Sequence, residues 1–183
     1  MIAFAGIGTR ALWPYEDKTI FQMSEYLTEL GFWCYTGGAP GADEYFERGA
    51  DIYRCIVYQP WRGFGTAWQA NCVVNAGETE EGLASVAKYH PRGRRLKAAV
   101  QKLMARNYHQ VHGFPEFNQP QVSFVLCCAD EDLAGNVIGG TGQACRIAKA
   151  ANIPIINIRT MPYRELVYEQ VLKAHEEGKL DAI

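Results

Sequence analysis

Three glycine-rich segments, Gly6-Ile7-Gly8-Thr9-Arg10, Gly37-Gly38-Ala39-Pro40-Gly41-Ala42-Asp43 and Gly139-Gly140-Thr141-Gly142-Gln143-Ala144, each lie beside an apolar strand-like run. The last two lead directly into helical sequence. Repeated strand, loop and helix units build a parallel sheet whose strand-end loops share one edge, so three such loops can converge on one ligand. A helix that begins in glycines exposes backbone N–H groups at its positive dipole end, and the missing side chains let a phosphate approach closely. A nucleotide or sugar phosphate is therefore the leading ligand class.

At 183 residues, 48% of them hydrophobic and 21% charged, the chain fits one α/β domain over residues 1–183. The formal net charge of -2 supplies no global field for a nucleic-acid backbone, although a local cluster at Arg92, Arg94, Arg95 and Lys97 could hold one. That cluster reads first as a solvated helix start. The opening Met1-Ile2-Ala3-Phe4-Ala5-Gly6 lacks a basic leader and reads as a first strand rather than a signal peptide. No apolar run approaches the roughly 20 residues needed to span a bilayer. Six cysteines without zinc-type spacing read as reduced, buried thiols, which places the chain in the cytoplasm.

Helical spacing of Ile20, Met23, Leu27 and Leu30 before Gly31 predicts a first crossover helix over 16–30. Phe32 to Tyr35 forms the second strand, Ala42, Phe46 and Ala50 the inward stripe of the second helix, and Tyr53 to Tyr58 the third strand. From about 59 to 93 the pattern weakens at Pro60, Gly63, Gly65, Gly77, Gly82 and Pro91, which predicts an irregular insertion at the site edge, packed through Trp61, Phe64 and Trp68. A helix over 94–108 turns Leu96, Val100, Leu103 and Met104 inward, with Asn107 in the same stripe and Arg106 at its flank. Strands over 121–128 and 153–158 flank the helix opened by Gly139, and a last amphipathic helix ends near Gly178. The predicted fold is a three-layer α/β/α sandwich around a mainly parallel sheet of about five or more strands.

Gly8, Thr9, Gly37, Gly38, Gly41, Ala42, Gly139, Gly140, Thr141 and Gly142 are the phosphate-binding candidates, with a hydroxyl donor at Thr141. Arg10 is placed to clamp a phosphate or stack on a base; its alternative is a surface pair with Glu16 or Asp17. Asp43 opens a helix, where a carboxylate complements the dipole, and its alternative is to accept ribose hydroxyls. Asn107 either ties a loop or meets the ligand, and Arg106 is a candidate charge-assisted donor. A dinucleotide fingerprint and a Walker A loop are both absent, so no cofactor is expected. His109 and His112 lack a third ligand, so no metal is expected either. No serine stands in a nucleophile elbow.

The order of Gly-Ile-Gly-Thr-Arg, Tyr35-Thr36-Gly37-Gly38-Ala39-Pro40-Gly41-Ala42-Asp43, and Ile138-Gly139-Gly140-Thr141-Gly142 before Ala150-Ala151-Asn152-Ile153-Pro154-Ile155-Ile156-Asn157 resembles the SLOG superfamily. This Rossmann-like group contains the DprA (Smf) proteins and the LOG phosphoribohydrolases. The resemblance covers most of the chain and looks closest to small DprA-like proteins of bacteriophages and bacteria, which carry segments like Gln59-Pro60-Trp61-Arg62-Gly63-Phe64 and Ala105-Arg106-Asn107. It implies a nucleotide-type ligand over the loops and a homo-oligomer. The LOG signature resembles Pro-Gly-Gly-x-Gly-Thr-x-x-Glu with a catalytic glutamate, whereas here Gln143-Ala144-Cys145-Arg146 follows the glycines. Three readings stay open. The first is a binder that senses or sequesters a nucleotide or nucleotide-derived signal, in a phage setting as an anti-defence protein. The second is a LOG-like hydrolase of nucleoside monophosphates using Asp43, Glu47 or an acidic residue of 130–132. The third is a DprA-like DNA-binding accessory protein.

Overall fold

A computed structural model describes residues 1–65, 70 and 72–180. The described residues form one six-stranded sheet, all parallel, in the order β4-β3-β2-β1-β5-β6. Its strands are β1 (Ile2–Gly8), β2 (Phe32–Thr36), β3 (Cys55–Gln59), β4 (Cys72–Asn75), β5 (Phe124–Cys128) and β6 (Ile155–Asn157). The helices are α1 (Glu16–Glu29), α2 (Ala42–Gly49), α3 (Glu80–Tyr89), α4 (Ala98–His112), α5 (Gly139–Ala150) and α6 (Tyr163–Glu176).

Strands β3 and β5 are buried throughout, as are β1 up to Gly8 and β2 apart from the half-buried Trp33, because helices cover both sheet faces; hence their near-continuous apolar runs. On one face Phe4, Phe32, Phe124 and Leu126 pack with Ile20 and Leu27 of α1, Phe46 of α2, and Val167 and Val171 of α6. On the other, Ala3, Ala5, Tyr35, Tyr58, Val125 and Cys127 meet Val111 of α4 and Ala144, Ile147 and Ala148 of α5. The three-layer α/β sandwich is therefore as the sequence predicts. All six cysteines are free thiols. No helix among the described residues is long and apolar enough to cross a membrane.

Several boundaries differ from the sequence reading, among them those of β5, which opens at Phe124 rather than 121, and β6, which covers only Ile155–Asn157. Residues 59–93 are not irregular throughout, since they contain the edge strand β4 and the helix α3, which packs on α4. β4 is only four residues long, and Gly82 sits within α3 close against the Ala105 carbonyl, so α3 carries a breaker signal for a reason of packing. Trp68 lies outside the described residues. The third strand begins at Cys55, after a 3-10 turn at Ile52–Arg54 in which Asp51 accepts the N–H of Tyr53. Helix α4 starts at Ala98 and continues to His112, where Gly113, at φ 65°, ends it.

Burial along α4 also differs from the sequence reading: Leu96, Val100, Leu103 and Met104 are only half-buried, while burial is concentrated in the second half of the helix, at Ala105, Arg106, Asn107, His109, Gln110 and Val111. A helix with that many buried polar groups must satisfy them locally. His109 Nδ1 faces the Gly113 carbonyl at 3.0 Å and must donate to it, so its Nε2 accepts from the Thr79 hydroxyl at 2.7 Å. The ring stacks on Phe114 with centroids 3.7 Å apart.

Candidate functional site

From β1 the chain moves outward through β2, β3 and β4, then returns across the sheet to β5 on the other side of β1. The strand order thus reverses between β1 and β5, and a crevice opens beyond their carboxyl ends. A cleft of about 430 Å³ occupies it, walled by the loop after β1, the loop after β5, the start of α5 and the inward face of α4.

Nine of the candidates meet there. Gly8, Thr9 and Arg10 come from the first loop, Asp43 from α2, Arg106 and Asn107 from α4, and Gly139, Gly140 and Thr141 from α5. Ile138 supplies no side-chain cap to α5, so the N–H groups of Gly139, Gly140 and Thr141 have no partner within the helix; that of Gly142 is satisfied by the Ile138 carbonyl. The start of α5 therefore presents donors and a positive dipole end to the cleft. Arg10 is exposed at the rim and, among the described residues, has no carboxylate partner. Glu16, its alternative partner, is held by Arg159 instead.

The other candidates are not in the cleft wall. Gly37 lies flat against the Arg106 guanidinium, where a Cβ would overlap Nη1. Gly38 and Gly41 adopt φ of 64° and 93°, and Gly41 backs onto the Thr9 carbonyl. Ala42 donates its N–H to that carbonyl at 3.0 Å and presses its methyl against Gly8. Gly142 is buried against the Val137 carbonyl. The second glycine loop thus braces the first, and reaches the cleft only through Ala39 and Asp43. Glu47 is buried at 1% exposure and does not line the cleft.

At the cleft floor, Asp43 Oδ1 accepts the Gly8 N–H at 3.1 Å, and Asp43 Oδ2 faces Arg106 Nη2 at 3.5 Å. Both side chains are buried. Burial pushes the Asp43 carboxyl above its usual range, against the opposing pull of the guanidinium and the Gly8 N–H, and burial lowers Arg106 likewise. Arg106 Nη1 donates to Gln110 Oε1 at 3.0 Å, which fixes that amide's orientation because a guanidinium can only donate. Arg106 Nε and Gln110 Nε2 then have no hydrogen-bond partner among the described residues. Phe64, from the segment after β3, lies over the guanidinium at 5.8 Å from the ring centroid. Asn107 Nδ2 donates to the Gly140 carbonyl and to Gln143 Oε1, tying α4 to the start of α5.

Sequence reasoning passed over Arg159. Its guanidinium grips Glu16 through two bonds of 2.8 and 2.6 Å, bonds Asp130 Oδ1 at 2.6 Å and the Ala11 carbonyl at 3.2 Å, and stacks 4.1 Å over Trp13. One side chain thus pins the loop after β1 to the loop after β5 and neutralises Asp130 at the cleft wall. Its position just past β6, at the carboxyl edge of the sheet, was the available signal.

No family model matches the sequence, and no curated protein matches it. Among solved structures, DNA processing protein A from Helicobacter pylori, described for a unique single-stranded DNA binding mode, superposes with a TM-score of 0.57 at 17% identity, covering 98% of this chain and 74% of that one. That protein is DprA, a member of the SLOG family. At this identity the likeness concerns the fold, and the chain shares with it the Rossmann-like α/β architecture that carries the cleft.

Proposed function

We propose that the chain binds a nucleotide unit in this cleft, with the phosphate at the start of α5 and Arg10 closing on it from the rim. The observation that carries the reading is the uncapped first turn of α5, whose glycine N–H groups line the cleft opposite an arginine with no carboxylate partner among the described residues. A phosphate supplies the acceptors that those donors lack. The fold likeness to a single-stranded-DNA-binding protein favours a nucleotide presented as part of a single strand. The cleft's modest volume and the chain's net charge of -2 favour the second reading, a free nucleotide or nucleotide-derived signal that is sensed or sequestered.

The test is a titration of the protein with a panel of nucleoside monophosphates and with a labelled single-stranded oligodeoxynucleotide, followed by mass spectrometry of bound and free fractions. Retained, unchanged nucleotide supports the binder; tighter, salt-sensitive binding of the strand supports the DNA form. Free base with ribose phosphate in the supernatant would replace both with a hydrolase.

A further inference from the structure

A second hollow, of about 600 Å³, adjoins the cleft on the other side of the start of α5, and Met104, Ile138, Gly139 and Gly140 line both. Its far wall comes from the turn after α3, with His90 and Arg92, and from Arg146 on α5; Leu96 and Val100 give it an apolar floor. Asp132 is the acidic side chain in this wall, and it is engaged in its own turn. Its Oδ1 accepts the N–H groups of Ala134 and Asn136, and Asn136 Nδ2 bonds both carboxylate oxygens.

Neither Arg92 nor Arg146 has a carboxylate partner among the described residues. Arg146 spends Nε on the Tyr89 carbonyl at 2.6 Å, which holds its half-buried guanidinium at the hollow. His90 Nδ1 accepts the Arg92 N–H, so its Nε2 is a donor. Burial and the two neighbouring arginines hold the His90 ring below its usual range. Cations drawn from two elements and without a carboxylate partner in one wall repel each other, and an anion between them relieves that repulsion.

We propose that this hollow is a second phosphate site continuous with the first, so that the ligand is at least a dinucleotide, its next phosphate held by Arg92 and Arg146. The apolar surface of Leu96, Val100 and Met104 suits the sugar or base between the two phosphates. The proposal rests on the reading of the first cleft as a phosphate site.

The experiment is calorimetry with deoxyadenosine monophosphate and with its 5′-phosphorylated dinucleotide, on the wild type, Arg92→Gln and Arg146→Gln, each checked for an unchanged melting profile. The wild type should bind the dinucleotide at least about tenfold tighter than the mononucleotide. Arg92→Gln, at an exposed position, should remove that advantage and leave mononucleotide affinity unchanged; Arg146→Gln should do the same if it melts as the wild type does. Equal affinities for the two probes in the wild type, or a dinucleotide affinity indifferent to Arg92→Gln, would overturn the second site. Dinucleotide binding that depends on Arg92 without any mononucleotide binding would break the reading of the first cleft and leave the second standing. Binding of neither probe overturns both.

Discussion

Gly37 is the floor on which the Arg106 guanidinium lies: a Cβ at that glycine would overlap Nη1 and crowd Asp43 Oδ2. The glycine loop after β2 therefore shapes the cleft from behind, by giving the buried arginine room to reach Asp43 and Gln110. Gly37→Ala should displace the guanidinium and cost about 1 to 3 kcal/mol of stability, the usual cost of overpacking. Urea unfolding measures it, and a variant as stable as the wild type would mean that Arg106 moves aside freely.

Arg10 and Arg106 should separate by stability. Arg10 is exposed, so Arg10→Ala should leave stability unchanged and weaken nucleotide binding by about 1.5 to 3 kcal/mol, the range for hydrogen bonds to charged groups. Arg106→Ala strands a buried carboxylate and should also destabilise the fold by about 3 to 5 kcal/mol. Paired denaturation and calorimetry of the two variants decide this; binding losses near zero in both would take both arginines out of the binding site.

Gly140 offers a cleaner probe of the phosphate position. A Cβ there meets only the flexible end of Met104, at 3.2 Å, so the fold should accommodate Gly140→Val. The branched side chain would occupy the space beside the helix N-terminus and should abolish binding. Wild-type affinity in the folded variant would remove this loop from the site.

The sheet and its helices were legible because parallel strands buried on both faces read as apolar runs, and Gly31 and the Gly139 pair punctuate them. α3 was not, because Gly82 is there to let the helix approach the Ala105 carbonyl, a tertiary reason that mimics a loop signal. The roles within the glycine loops were hidden similarly. Composition cannot distinguish Gly140, which lines the cleft, from Gly41, whose φ of 93° is needed to cross behind Thr9. Arg159 was silent because its partners Glu16 and Asp130 are remote in sequence.

Stability should fall on the acid side through His109. Burial holds its imidazole below the ordinary value of 6.5, and the neutral ring is the form that donates to Gly113 and accepts from Thr79. Because the folded value lies below the unfolded one, this contribution is complete above pH 6.5 and is lost progressively as pH falls below it. His112, also lowered by burial, adds in the same sense. Equilibrium unfolding at a series of pH values should show a shallower acid limb in His109→Asn than in the wild type. Identical slopes would acquit the ring.

Turnover is the prediction that most sharply divides the readings. Gln143, in the region after the glycines where the LOG pattern carries its glutamate, is fully buried and bonded to Asn107. Glu47 is buried outside the cleft wall, and Asp130, in that wall, is paired with Arg159, so Asp43 is the remaining carboxylate lining the cleft. Asp43 is occupied by the Gly8 N–H and faces Arg106, an arrangement that fixes the loop rather than freeing an acid for a leaving base. Without general acid–base assistance, typically worth about 10² to 10⁴ in rate, base release from AMP, GMP, CMP and UMP should stay at the blank level even where binding is tight. The assay compares wild type with Asp43→Asn at matched folded fractions, since the substitution also unbalances Arg106. Robust turnover in the wild type that disappears in Asp43→Asn would overturn the binding reading and make Asp43 the catalytic carboxylate.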